Sequence, residues 1–61
     1  MQEYEHLREL VESAAEDVAK AIGGNKAAGT RVRRVMQEVK ATAQEVRKKI
    51  LEVRSSQDAS V

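Results

Sequence analysis

The sequence has no cysteine, proline, phenylalanine or tryptophan, and only one tyrosine and one histidine. Without cysteine there is no disulfide and no thiolate zinc site. His6 stands among Glu3, Glu5 and Glu9, but a single imidazole falls short of the three or four protein ligands a zinc site uses. Ser13, Ser55 and Ser56 have no base nearby in sequence, so no nucleophile is activated, and no catalytic residue, cofactor or small-molecule substrate is expected. No apolar run reaches 18 residues, which argues against a transmembrane helix. The N-terminus is acidic and lacks the apolar core of a signal peptide. A cytoplasmic, nucleoid address is the resulting expectation. At 61 residues the chain makes one small domain, marginal alone.

Charge is abundant, and it is divided. Residues 1 to 22 carry six acids (Glu3, Glu5, Glu9, Glu12, Glu16, Asp17) against Arg8 and Lys20. Residues 23 to 54 carry nine bases against Glu38, Glu45 and Glu52. The net charge of +1 conceals this. Such asymmetry suits a polyanionic partner, and it equally suits two antiparallel helices that attract each other.

Apolar residues place both helices. Tyr4, Leu7, Val11, Ala14, Val18 and Ala21 alternate steps of three and four, a heptad seam predicting a helix over 2–22. Gly23, Gly24 and Asn25 interrupt it. Glycine past a helix end closes the last turn in the left-handed conformation, and asparagine caps the next helix. A second seam follows in Gly29, Val32, Met36, Val39, Ala43, Val46, Ile50 and Val53, predicting a helix over 26–54. The rest, "SSQDASV", reads as a disordered tail over 55–61. The fold class is all-α: an antiparallel two-helix hairpin, a coiled coil over residues 1–54 with its turn at 23–25. Val46 to Val53 find no partner inside such a hairpin, and Leu10 and Val35 flank the seams. A second copy is the natural cover, giving a homodimeric four-helix bundle. Leu7, Leu10, Val11, Val35, Met36, Val39, Val46, Ile50 and Val53 are the residues expected in the core and the dimer contact.

If Gly29 and Val32 are heptad positions a and d, position e holds Lys26, Arg33, Lys40, Arg47 and Arg54. Basic residues recur every seven, over about 42 Å at 1.5 Å per residue. Helical ion pairs need a partner three or four residues away. Glu38, Glu45 and Glu52 satisfy that for Arg34, Lys48 and Lys49, and among the e positions only Arg54 has an acid in reach, Asp58. Arg8 takes the equivalent position in the first helix and joins this edge. Lys26, Arg31, Arg33, Arg34, Lys40, Arg47, Lys48 and Arg54 are therefore the candidate DNA-binding residues. Regularly spaced cations suit duplex DNA phosphates, with counterion release as the driving force. Free N–H groups at the second helix's start, beside Lys26, add a phosphate seat. No base-reading element is evident, and without aromatic platforms single strands are poor ligands.

Gly24, Asn25, Lys26, Ala27, Ala28, Arg31 and Arg33 carry a further signal. This turn and the Arg-x-Arg after it resemble the bacterial linker-histone-like family, typified by the chlamydial nucleoid-condensing proteins. The likeness extends over most of residues 3–54, through Lys40 to "VRKK" (46–49), where it implies an aromatic in place of Val46. It implies a non-enzymatic, self-associating, DNA-associated protein. It also implies a Lys/Ala-rich tail where this sequence reads "SSQDASV".

Two readings stay open: a histone-like nucleoid-associated protein that binds duplex DNA without sequence preference, and an antiparallel coiled-coil assembly module whose charged stripe is only a solvated face. Membrane binding is disfavoured because the apolar positions are mostly valine and alanine rather than bulky residues.

Overall fold

The computed structural model describes residues 1–59, with side-chain surroundings through residue 55. Two helices pack antiparallel against each other, α1 (Gln2–Ile22) and α2 (Lys26–Ala59). There is no strand among the described residues. The molecule is a rod of 55 × 14 × 13 Å. The all-α hairpin expected from the two seams is the fold observed. Helix α2 passes Arg54 and continues to Ala59; the remainder of the expected tail, residues 60 and 61, lies outside the described residues. Nothing from Arg54 to Ala59 is a glycine or proline, so helical hydrogen bonding continues.

The connection is three residues long, Gly23 to Asn25. The N–H groups of Gly24 and Asn25 donate to the carbonyls of Ala21 and Lys20, both at 3.0 Å. This pair of crossed bonds is the Schellman closure of a helix. It needs a left-handed residue, and Gly24 supplies it at φ 102°. Asn25 then caps α2: its Oδ1 accepts from the Ala28 N–H at 2.9 Å, and its carbonyl from the Gly29 N–H at 3.1 Å. The first bond satisfies a donor that a helix start otherwise leaves orphaned, and the second is the first bond of the helix itself. Two capped ends joined at one residue fix the direction of α2 and its rotation about its own axis.

That rotation differs from the one the heptad count implies. The half-buried or buried residues of α1 are Glu3, Leu7, Leu10, Ala14, Asp17, Val18 and Ala21. Those of α2 are Ala28, Gly29, Val32, Val35, Val39, Thr42 and Val46. Both helices are turned so that the expected d residues and the residues just before the expected a positions meet. Leu10 and Val35, expected on the flanks, lie in the seam. Tyr4, Val11, Met36, Ile50 and Val53, expected in it, are 56, 50, 40, 54 and 48 % exposed. The physical cause is backbone approach. Only Ala28 and Ala14 are buried among the described residues, at 0 and 2 % exposure; these methyl side chains let the helices come close, and the cap places Ala28 toward α1.

Gly29 is not what permits that approach. A methyl group built there lies 4.0 Å from the Ala21 Cβ, an ordinary contact. Gly29→Ala should therefore stabilise the hairpin by up to about 1 kcal/mol through helix propensity, read as a raised thermal midpoint in circular dichroism.

No large side chain is fully buried among the described residues, so the core is thin. Helix α2 has 34 residues against 21 for α1, and every side chain from Arg47 to Ser55 is exposed. The overhang expected from the unequal seams begins at Arg47 rather than Val46, which is half-buried, and it presents Ile50, Leu51 and Val53 to solvent.

Candidate nucleic-acid interface

The two helices run antiparallel, so equivalent flanks lie on the same side of the rod. One side is marked by Arg31 of α2 and Asp17 of α1. The Arg31 Nε donates to Asp17 Oδ2 at 3.0 Å, and its Nη2 to Oδ1 at 2.9 Å. A bidentate fork of this kind is the strongest geometry open to an ion pair. Its hydrogen bonds from Arg31 hold the Asp17 carboxyl below its usual value, against the opposing effect of burial and with help from the Arg31 and Lys20 charges. Asp17 lies six residues before Gly23 and Arg31 six after Asn25. Measuring equal distances outward from the short turn is the signal that would have found this pair.

The pair has a pH signature. A depressed carboxylate pKa contributes stability that is fully present above the unfolded value, about 3.9, and is lost as pH falls through the folded value. Acid should therefore lower the melting temperature of the native chain more than that of Asp17→Asn, with the curves converging once the pH lies below the folded value. Thermal melts from neutral pH into strong acid check this.

The opposite side of the rod holds the basic stripe. Lys26, Arg33, Lys40, Arg47 and Arg54 recur every seven residues along α2 and are all exposed. None of the five forms an ion pair among the described residues. Between them run Met36, Ala43 and Ile50, with Tyr4 and Val11 beside them on α1, all exposed. The a and e positions of both helices, which make up this face, contain no acidic residue. Arg8 lies on it too, loosely paired to Glu12 at 3.8 Å.

The remaining candidates are placed elsewhere. Lys48 pairs with Glu45 at 3.5 Å and Lys49 with Glu52 at 4.0 Å, along the helix as the spacing suggests. Arg34, within reach of Glu38, forms no pair among the described residues. Arg31 is held by Asp17, so its guanidinium already has an anion. Lys26 opens α2, whose first turn has no acid; a cation at the positive end of the helix dipole is favoured only when an anion joins it.

A model of the family described as histone H1-like protein Hc1 matches residues 1–56. The chain belongs to that family. The resemblance carried by Gly24, Asn25, Lys26, Ala27, Ala28, Arg31 and Arg33 is thereby borne out. Neither the curated proteins nor the solved structures yielded a match. In this family member the turn motif has a structural meaning: Gly24 and Asn25 are the two cap residues, Ala28 is the most deeply buried of the described residues and Arg31 holds α1. Arg33, also in the motif, stands on the acid-free face.

Other surface features are shallow. A hollow near the start of α1 is lined by Gln2, Glu3, Glu5, His6 and Glu9. No three metal-ligating side chains converge there or elsewhere among the described residues. No described helix is long and apolar enough to cross a membrane.

Proposed function

We propose that the chain is a non-enzymatic nucleoid-associated protein that binds the phosphates of duplex DNA without reading sequence. The single observation carrying this is the acid-free face with its five cations, Lys26, Arg33, Lys40, Arg47 and Arg54, none of them paired among the described residues. Membership of a histone H1-like family supports it. Neighbouring cations of the stripe stand about 10.5 Å apart along α2, and the duplex offers a charge roughly every 1.7 Å of its axis. Phosphates are thus available to every cation in turn, whatever the sequence. Arg34 and Lys48 lie off this face and add only to the positive field of α2; Arg31 contributes by holding the α2 start in place.

Five phosphate contacts imply a log–log salt slope of about −4.5. Affinity for a random duplex of about 20 bp should fall roughly 500-fold between about 50 and 200 mM salt, measured by fluorescence anisotropy. A slope near zero, or strong preference for one sequence, would count against this reading.

A second reading is favoured by Tyr4, Val11, Met36 and Ile50, which the hairpin leaves half exposed. It makes the chain an assembly module that forms a homodimer through this apolar stripe. It expects no DNA retention at low salt, and melting that rises with protein concentration.

A further inference from the structure

The serines and threonines of the two helices differ in the charges beside them. On a helix the neighbours of a residue lie three and four positions away. Those of Ser13 include Glu9, Glu16 and Asp17, and those of Thr42 are Glu38 and Glu45 among the charged residues. Ser55 and Ser56 have Glu52 in reach. Thr30 alone among them has cations at these positions and no acid: Lys26 four residues before it, Arg33 three after and Arg34 four after. None of these three cations forms an ion pair among the described residues.

The hydroxyl itself is accessible. Thr30 is exposed, whereas Thr42 is half-buried. The Thr30 Oγ1 donates to the Lys26 carbonyl at 3.3 Å, beyond the roughly 2.5–3.0 Å of a good O–H···O bond. The Ser13 Oγ is held more tightly, at 2.7 Å from the Leu10 carbonyl. Between Lys26 and Arg31 the one buried side chain is the Ala28 methyl. Local opening of this turn, which lets an enzyme reach the hydroxyl, therefore gives up little apolar burial.

We propose that Thr30 is a phosphorylation site and that its phosphate switches off the DNA face by drawing Lys26 and Arg33, the first two cations of the stripe, to itself. The switching half of this rests on the DNA-binding reading above. A phosphothreonine carries about −1.5 to −2 charges and three acceptor oxygens, and it orders readily against a cluster of cations. The same group on Ser13 or Thr42 meets carboxylates and is repelled. The phosphoryl donor is a nucleoside triphosphate, and the enzyme is a protein kinase that accepts a basic sequence around the hydroxyl. The Thr30 Oγ1 bonds to the γ-phosphorus, and the bond from that phosphorus to the β–γ bridging oxygen breaks. The nucleoside diphosphate leaves, and the hydroxyl proton passes to a base of the kinase.

At 61 residues the full chain is within reach of chemical synthesis, so it can be made unmodified, with phosphothreonine at position 30, or with phosphoserine at position 13. Ser13 lies one turn before Asp17, on the side of the rod away from the stripe, and there carries the same added charge. Circular dichroism confirms that all three chains keep their helices. In anisotropy titrations at about 50 mM salt, phosphate on Thr30 should weaken duplex binding roughly 100-fold and shrink the salt slope by about two units. Phosphate on Ser13 should weaken it by less than about threefold, because the distance to the stripe is screened. Phosphorus NMR should find the second ionisation of the Thr30 phosphate at lower pH than that of the Ser13 phosphate. Mass spectrometry of the chain from the cells that make it should find phosphate on Thr30. Equal losses from the two phosphates, unchanged DNA binding by the Thr30-modified chain, or no phosphate on Thr30 at any stage of growth would each overturn the proposal. Should the unmodified chain itself fail to bind the duplex at about 50 mM salt, the DNA reading falls, and the NMR comparison and mass spectrometry still decide whether Thr30 takes a phosphate.

Discussion

Changing Arg33, Lys40 and Arg47 together to glutamate should abolish retention of duplex DNA while leaving the hairpin folded. All three side chains are exposed and make no ion pair among the described residues. Their replacement therefore removes nothing the fold uses, and glutamate is itself a good helix former. Each phosphate contact contributes about one unit to the salt slope, so the slope should shrink by about three. The new carboxylates would also face phosphates directly, driving affinity at about 50 mM salt below the usual range of roughly 10⁻⁴ to 10⁻⁶ M for non-specific binding. Anisotropy titrations at several salt concentrations read both quantities. The matched control is Glu38→Lys with Glu45→Lys on the other flank. If position matters, the added cations there should not rescue binding in the triple variant. Rescue would mean that net charge rather than the acid-free face does the binding.

Ala28→Leu should be the most damaging single change to the fold. Ala28 has no exposed surface, and it sits at N3 of α2, where its N–H is held by Asn25. Ala28 is wholly enclosed, so a larger side chain finds no vacant space. Overpacking of this kind costs about 1–3 kcal/mol. A chain of this size rarely holds more than about 3–5 kcal/mol in total. The thermal midpoint should fall by roughly 10–20 °C, at about 4–8 °C per kcal/mol for a small domain. Ala27→Leu, one residue earlier and exposed, should change it little. An Ala28→Leu chain that melts together with the native one would show that close approach at this point is not what holds the hairpin.

Both helices and their connection could be read from residue type alone. The α1 boundaries coincide with those of its apolar repeat, because Glu, Ala, Leu and Lys favour helix and Gly23–Gly24–Asn25 ends it. The turn was legible for a local reason: a left-handed glycine and an asparagine cap act on hydrogen bonds within five residues of themselves. The basic stripe was legible too, since a seven-residue period keeps its members on one side of any helix. The face opposite the contact was harder to name. A heptad count gives the period of the apolar residues, but the row with the larger side chains need not be the buried one. Tyr4, Val11 and Met36 are bulkier than Ala14 and Ala28, yet they remain outside, and the alanines are inside.

Residue order alone specifies two helices of unequal length, folded back at residues 23–25, with cations repeating along the second. Local backbone preference and periodicity are enough for that, because they involve neighbours in the chain. The rotation of each helix about its axis emerges from packing. That depends on how closely two backbones approach, on the cap at Asn25 and on the Asp17–Arg31 fork, which together tie the two sides of the turn to each other. The same rotation put the apolar residues and the basic stripe on one face, and so made a single surface of what the sequence presents as two patterns.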